Sequence, residues 1–144
     1  MAEQNFSNHA RFYPLFHFVL VPLLAINLVN SLYAWFKLGF SLAGFFQVLL
    51  AVALVLGFGA ARLMALTVQD RVIRLEERLR YERLLPADLK PRIGDFTLSQ
   101  MVSLRFASDQ ELPALARKVL DEKMNQRKAI KQLVKTWKPD YLRA

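Results

Sequence analysis

Residue types that commonly do chemistry are scarce in this chain. Its two histidines, His9 and His17, would stand about 12 Å apart along a shared helix axis, too far for one metal ion. His17 is a candidate axial ligand for a haem or pigment if a second chain closed the site, and His9 is the weaker candidate. The chain has no cysteine, which excludes a disulfide scaffold, a thiolate metal site and a thiol nucleophile. No G-x-S-x-G, no phosphate-binding glycine loop and no H-E-x-x-H occurs. Carboxylates alternate with arginines: Asp70 with Arg74 and Glu76 with Arg80 are i,i+4 pairs in the favourable order, and Arg78 with Glu82 is a reversed one. That pattern belongs to helix surfaces, so the expectation is a non-enzymatic protein with no catalytic residues, no metal and no cofactor.

Two groups of residues are suited to recognition instead. Arg127, Lys128, Lys131, Lys135 and Lys138 lie opposite an apolar stripe of Ile130, Leu133, Val134 and Trp137 if Gln126 to Lys138 is one helix capped by Asn125. Such a face suits solvent, a protein partner or anionic lipid headgroups; nucleic acid is disfavoured, because no nucleic-acid motif accompanies the charge. The second group is Ala53, Gly57, Ala61 and Ala65, a ridge of small residues every fourth position that lets two helix backbones approach closely, either packing within the hairpin or self-associating. It continues through Val68, Val72, Leu75 and Leu79 as a heptad-like apolar seam.

The elements that carry these groups follow from the charge distribution. The chain holds 20 Lys and Arg against 12 Asp and Glu, for a net charge of +8, yet 54% of its residues are hydrophobic. Only Glu3, Arg11 and Lys37 precede Arg62 among the charged residues. A single soluble globule does not segregate its residues in this way, and the class expected is an all-α membrane protein. Residues 14–36 and 40–61 are long uncharged runs that read as two transmembrane spans. The Lys37-Leu38-Gly39 interruption is short enough only for a hairpin tip, with Trp35, Phe36 and Phe40 as interfacial anchors. The N-terminal MAEQNFSNHAR lacks the basic region of a cleaved signal peptide, so the first span is expected to stay. Arg62, Arg71, Arg74, Arg78 and Arg80 crowd the exit of the second span, which puts both termini in the cytoplasm.

The organisation expected is an N-terminal arm over 1–12, a transmembrane hairpin over 13–61, a cytoplasmic extension of the second helix over 62–85 and a helical tail over 86–144. Inside the spans Pro22 removes a backbone hydrogen bond and should kink the first helix. Asn27, Asn30 and Ser31 share a face of it, and an Asn30 to Gln47 contact, within the chain or between subunits, would contribute about 0.6 to 2 kcal/mol. Pro86, Pro91 and Gly94 break the second helix. Thr97-Leu98-Ser99-Gln100 and Ser108-Asp109-Gln110-Glu111 then have the capping-box pattern, opening two short helices joined by a corner near Ala107, with Pro113 in the first turn of the later one.

QNFSNHARFYPLFHF (Gln4 to Phe18), VQDRVIRLEERLR (Val68 to Arg80), LRFASDQELPAL (Leu104 to Leu115) and AIKQLVKTWKPDYLRA (Ala129 to Ala144) together resemble a family of small bacterial two-span membrane proteins classed as a domain of unknown function. The resemblance covers nearly the whole chain. It implies a bacterial inner-membrane location and brings no activity, cofactor or functional residue. The function expected is therefore contact between helices, either as an accessory or structural subunit of a larger inner-membrane complex or as a homo-oligomer. The alternatives are a membrane-tethered module that binds anionic lipid through the basic tail and a pigment- or haem-binding subunit.

Overall fold

The computed structural model describes residues 5, 6 and 13–140. Contacts divide the chain into two units, one of Phe12–Leu66 and one that holds Thr67–Ala144. All regular structure among the described residues is helical, and two helices are long and apolar enough to cross a membrane.

The first of these opens as a π-helical turn, Leu15–Leu20, that runs directly into α1, Val21–Lys37. Pro22 accounts for the wide turn: it has no N–H to give and its ring presses on the carbonyl four residues back. The π register, in which the Val21 N–H donates to Phe16 O, accommodates both effects. Leu15–Lys37 is 23 residues, or about 35 Å of helix.

α1 ends in a Schellman turn. The Phe40 N–H donates to Trp35 O at 3.0 Å and the Gly39 N–H to Phe36 O at 3.3 Å. Gly39 and Phe40 are left-handed, with φ of 63° and 59° respectively; glycine adopts this freely and Phe40 at a cost. The Ser41 hydroxyl then accepts the Gly44 N–H at 3.2 Å and caps α2, Leu42–Leu84. The Trp35 indole N–H donates to Ser41 O at 3.1 Å, fastening the end of α1 to the start of α2. Burial in this unit follows Leu24, Leu28, Ser31 and Trp35 on α1 and Gly44, Val48, Ala51 and Val55 on α2. An apolar cavity of about 330 Å³ is lined by Leu24 and Leu28 on one side and by Val55 and Phe58 on the other.

In the second unit, Pro86 follows the end of α2, and a 3₁₀ turn at Lys90–Asp95 leads to α3, Leu98–Leu104. α4 is Leu112–Asp121 and α5 is Arg127–Leu133. Both halves of the expected capping box form at α3: Thr97 Oγ1 accepts the Gln100 N–H at 3.3 Å and Gln100 Oε1 accepts the Thr97 N–H at 2.8 Å. Pro113 lies in the first turn of α4, as its spacing requires. The core joins Tyr81, Leu85 and Leu89 to Met101 and Leu104 of α3, Leu112, Leu115 and Val119 of α4, and Ile130 and Val134 at α5. Beyond Val134 the backbone bends at Lys135 and Thr136 and pairs with the corner after α3, the Ser108 N–H donating to Thr136 O at 3.0 Å and the Lys138 N–H to Phe106 O at 2.7 Å.

α5 is therefore shorter than the Gln126 to Lys138 helix the pattern predicts, and Asn125 does not cap it; Gln126 stands at the cap and makes no side-chain bond there. The cause is Glu111. Its carboxylate accepts the Lys135 N–H at 3.0 Å and the Thr136 N–H at 3.1 Å, drawing both amides out of a helical register. Pro139 favours extended backbone at Lys138 as well.

Candidate functional site

Within the second unit, one face of α2 joins the core formed with α3 to α5, and the opposite face is exposed among the described residues. The packed face is Ile73, Glu77, Arg80, Tyr81 and Leu84, at the helical spacing that keeps them in line. Two members are charged, and burying them needs full pairing. Arg80 Nε and Nη2 reach Asp109 Oδ1 at 2.9 and 2.7 Å, and Nη2 also donates to Ala107 O at 2.6 Å. Nη1 donates to Arg105 O at 3.3 Å and to Glu77 Oε2 at 3.3 Å. The guanidinium thus holds the corner after α3 against α2. Burial pushes the Glu77 carboxyl above its usual range, and the neighbouring Arg80 opposes that rise. The same arginine holds the Asp109 carboxyl below its usual range.

Beside this node lies a cleft of about 390 Å³ with Glu77, Arg105, Lys138 and Asp140 on its walls. Arg105 Nη1 is 3.4 Å from Asp140 Oδ2, and its guanidinium lies 4.7 Å from the Phe106 ring centre. The Glu77 to Arg80 pair lies within α2, whereas the Arg105 to Asp140 pair fastens the segment beyond α5 to the end of α3. The i,i+4 pairing of Glu76 with Arg80 does not form, because Arg80 turns inward to Glu77 and Asp109.

The unpacked face is the predicted seam. Val68 is 60% exposed, Val72 49%, Leu75 61% and Leu79 60%. Ala53, Gly57, Ala61 and Ala65 are exposed too, and a Cβ built on Gly57 would meet nothing within 4 Å. The ridge therefore does not serve packing inside Phe12–Leu66, a role that falls to Gly44 and Ala51. A Cβ on Gly44 would lie 2.7 Å from Trp35 Cδ1 and 3.3 Å from its Cα.

Residues 1–144 match a family of unknown function, DUF6526. The chain belongs to that family. No curated protein and no solved structure matches it. The DUF6526 match takes in both units.

The remaining predicted residues are scattered. Asn27, Asn30 and Gln47 are exposed and no hydrogen bond joins Asn30 to Gln47. Ser31 is buried without a partner for its hydroxyl. The small side chains of Ser31 and Ala51 occupy the buried line and leave the amides to either side of it. His9 lies outside the described residues. His17 Nδ1 stands 3.2 Å from Tyr13 N and 3.0 Å from Tyr13 O, a local bond at the helix start, and no cluster of metal-binding side chains occurs among the described residues. Arg127, Lys128 and Lys131 lie on α5, whereas Lys135 and Lys138 lie on the non-helical segment beyond it. Lys131 sits over the Phe106 ring at 5.2 Å, Trp137 packs on the same ring at 5.0 Å, and Lys138 is 4.0 Å from Asp109. The five cations and Trp137 thus do not form one helical face. Pattern reading missed Gly44 and the Arg80 to Asp109 bond; the bond joins residues far apart in the chain, and no local spacing encodes it.

Proposed function

We propose that this chain is a non-enzymatic integral membrane protein that crosses a bacterial inner membrane twice and acts by presenting the seam of α2 to another helix, as a structural or accessory subunit or as an oligomer. Leu15–Lys37 and the first half of α2 form the hairpin, with both termini cytoplasmic. Several observations support this reading. In the most apolar stretches of the two helices only 6% and 11% of residues are buried, so protein packing does not account for their hydrophobicity. The Gly39-Phe40 turn and the contact of Arg62 with Phe16, at 5.6 Å, support a hairpin. Arginine is concentrated on one side of the spans.

The observation that carries the functional part is the exposed row Val68, Val72, Leu75 and Leu79 on a helix whose opposite face is already buried. Apolar side chains in such a row are covered in a working assembly. The test is gentle solubilisation of native membranes, followed by native mass and identification of retained proteins. Mass above that of a monomer, lowered by Gly57→Leu, is expected. A monomer that retains nothing overturns the reading. Labelling of a single cysteine at Lys37 only from outside the cell, and of one at Gln132 only after permeabilisation, is expected for the topology.

A further inference from the structure

The seam has a register, and the register points to its occupant. Taking Ala65, Val72 and Leu79 as heptad positions a, and Ala61, Val68 and Leu75 as positions d, places Arg71 at g and Glu76 at e. In a parallel pair of identical helices, g of one chain meets the following e of the other, so Arg71 meets Glu76 of the second copy, and the two-fold axis repeats the pair. Both residues are exposed, and neither makes an ion pair within the chain among the described residues. The residues that α2 buries in its own unit, Ile73, Glu77, Arg80, Tyr81 and Leu84, are at b, c and f, directed away from the seam. A second copy can therefore occupy a and d without disturbing the packed face. The next g to e′ pair, Arg78 with Arg83, is like-charged; Asp109 lies 3.8 Å from Arg83 and offsets it. Glu82 takes the following d position and ends the seam.

We infer that α2 pairs in parallel and in register with α2 of a second copy of this chain, through Ala61 to Leu79 with reciprocal Arg71 to Glu76 ion pairs. The inference rests on the proposed reading, since a shared membrane topology is what makes two copies parallel. It is tested in membranes with the full chain, which has no cysteine of its own. Single cysteines replace Val72, Leu75 and, as the control on the opposite side, Arg74. Oxidation is expected to yield covalent dimers at 72 and 75 and little at 74. Glu76→Arg should lower the Leu75→Cys dimer yield about five- to tenfold, and adding Arg71→Glu should restore it. Equal yields at 74 and 75, or no rescue by the double reversal, overturn the inference. Adducts of Leu75→Cys with a different protein and none with itself overturn the second copy and leave the seam reading standing, whereas no adduct together with a monomeric native mass overturns both.

Discussion

Two nitrogens of Arg80 converge on one carboxylate oxygen of Asp109, at 2.9 and 2.7 Å, from a guanidinium that is itself buried. That contact decides which side of α2 faces its own unit, and so which side is left for a partner. Replacing Arg80 by Met keeps the apolar stem but strands Glu77 and the carbonyls of Arg105 and Ala107. The loss should be about 3 to 5 kcal/mol, read by denaturant unfolding of the full chain in mild detergent. Combining it with Glu77→Leu should recover part of the loss, because the stranded carboxylate is removed while the carbonyls stay unpaired. An Arg80→Met chain as stable as the parent would show that the ion pair does not hold the corner.

Glu77 also sets a pH dependence. Burial raises its carboxyl pKa in the folded chain, so the folded state holds the proton more tightly than the unfolded state does. Unfolding then releases a proton in the window that opens near about 4.3 and closes at the raised folded value. Across that window stability falls as pH rises. Asp109 and Asp88 act in the opposite sense at lower pH, since Arg80 and Arg117 lower their pKa values and their contribution is lost as pH falls below about 3.9. Glu77→Gln should flatten the first dependence and leave the second, measured by unfolding at stepped pH.

Much of this architecture is legible in local pattern. The uncharged runs, the Thr97 capping box and Pro113 act through near neighbours: the runs form two long apolar helices, the box closes and Pro113 sits in the first turn of α4, while Pro22 is met by a π turn in place of the expected kink. The seam is equally plain, because its periodicity is a property of one helix. What failed is what distant residues decide. Nothing near Lys135 signals that Glu111 will take its amide, and so the basic helix is drawn longer than it is. Nothing near Gly44 signals that Trp35 lies against it, whereas Gly57 stands in a conspicuous row of alanines and draws attention. The Asn30 to Gln47 contact does not form within the chain, because depth along the helices leaves their rotation open and Ser31 and Ala51 take the buried line; the exposed amides leave the form between subunits as the one that stands.

The two glycines should accordingly behave in opposite ways. Gly44→Ala introduces a methyl group 2.7 Å from the Trp35 indole, which the bond to Ser41 O holds in place. Overpacking of this kind costs about 1 to 3 kcal/mol. A lower melting temperature in detergent and a shifted Trp35 emission are expected. Gly57→Ala meets open space and removes a helix-interior glycine, so it should leave the isolated chain as stable or raise stability by up to about 1 kcal/mol. Equal effects of the two substitutions would show that Trp35 does not rest on Gly44.

Glu111 supplies the last test, because it separates propensity from tertiary capture at the chain's end. Its carboxylate binds the amides of Lys135 and Thr136, while Ile130, Leu133, Val134 and Trp137 carry the spacing of a longer amphipathic helix. Glu111→Ala removes two charge-assisted bonds, worth about 1.5 to 3 kcal/mol each to a charged acceptor. It also removes the force that ends α5 at Leu133. Hydrogen exchange at the Lys135 and Thr136 amides should accelerate by at least about tenfold, and tryptic cleavage after Lys135 should increase. Glu111→Gln keeps one acceptor oxygen without the charge and should fall between the two. Slow exchange at both amides in Glu111→Ala would mean that the pairing of Ser108 and Phe106 with the segment holds it non-helical without the carboxylate.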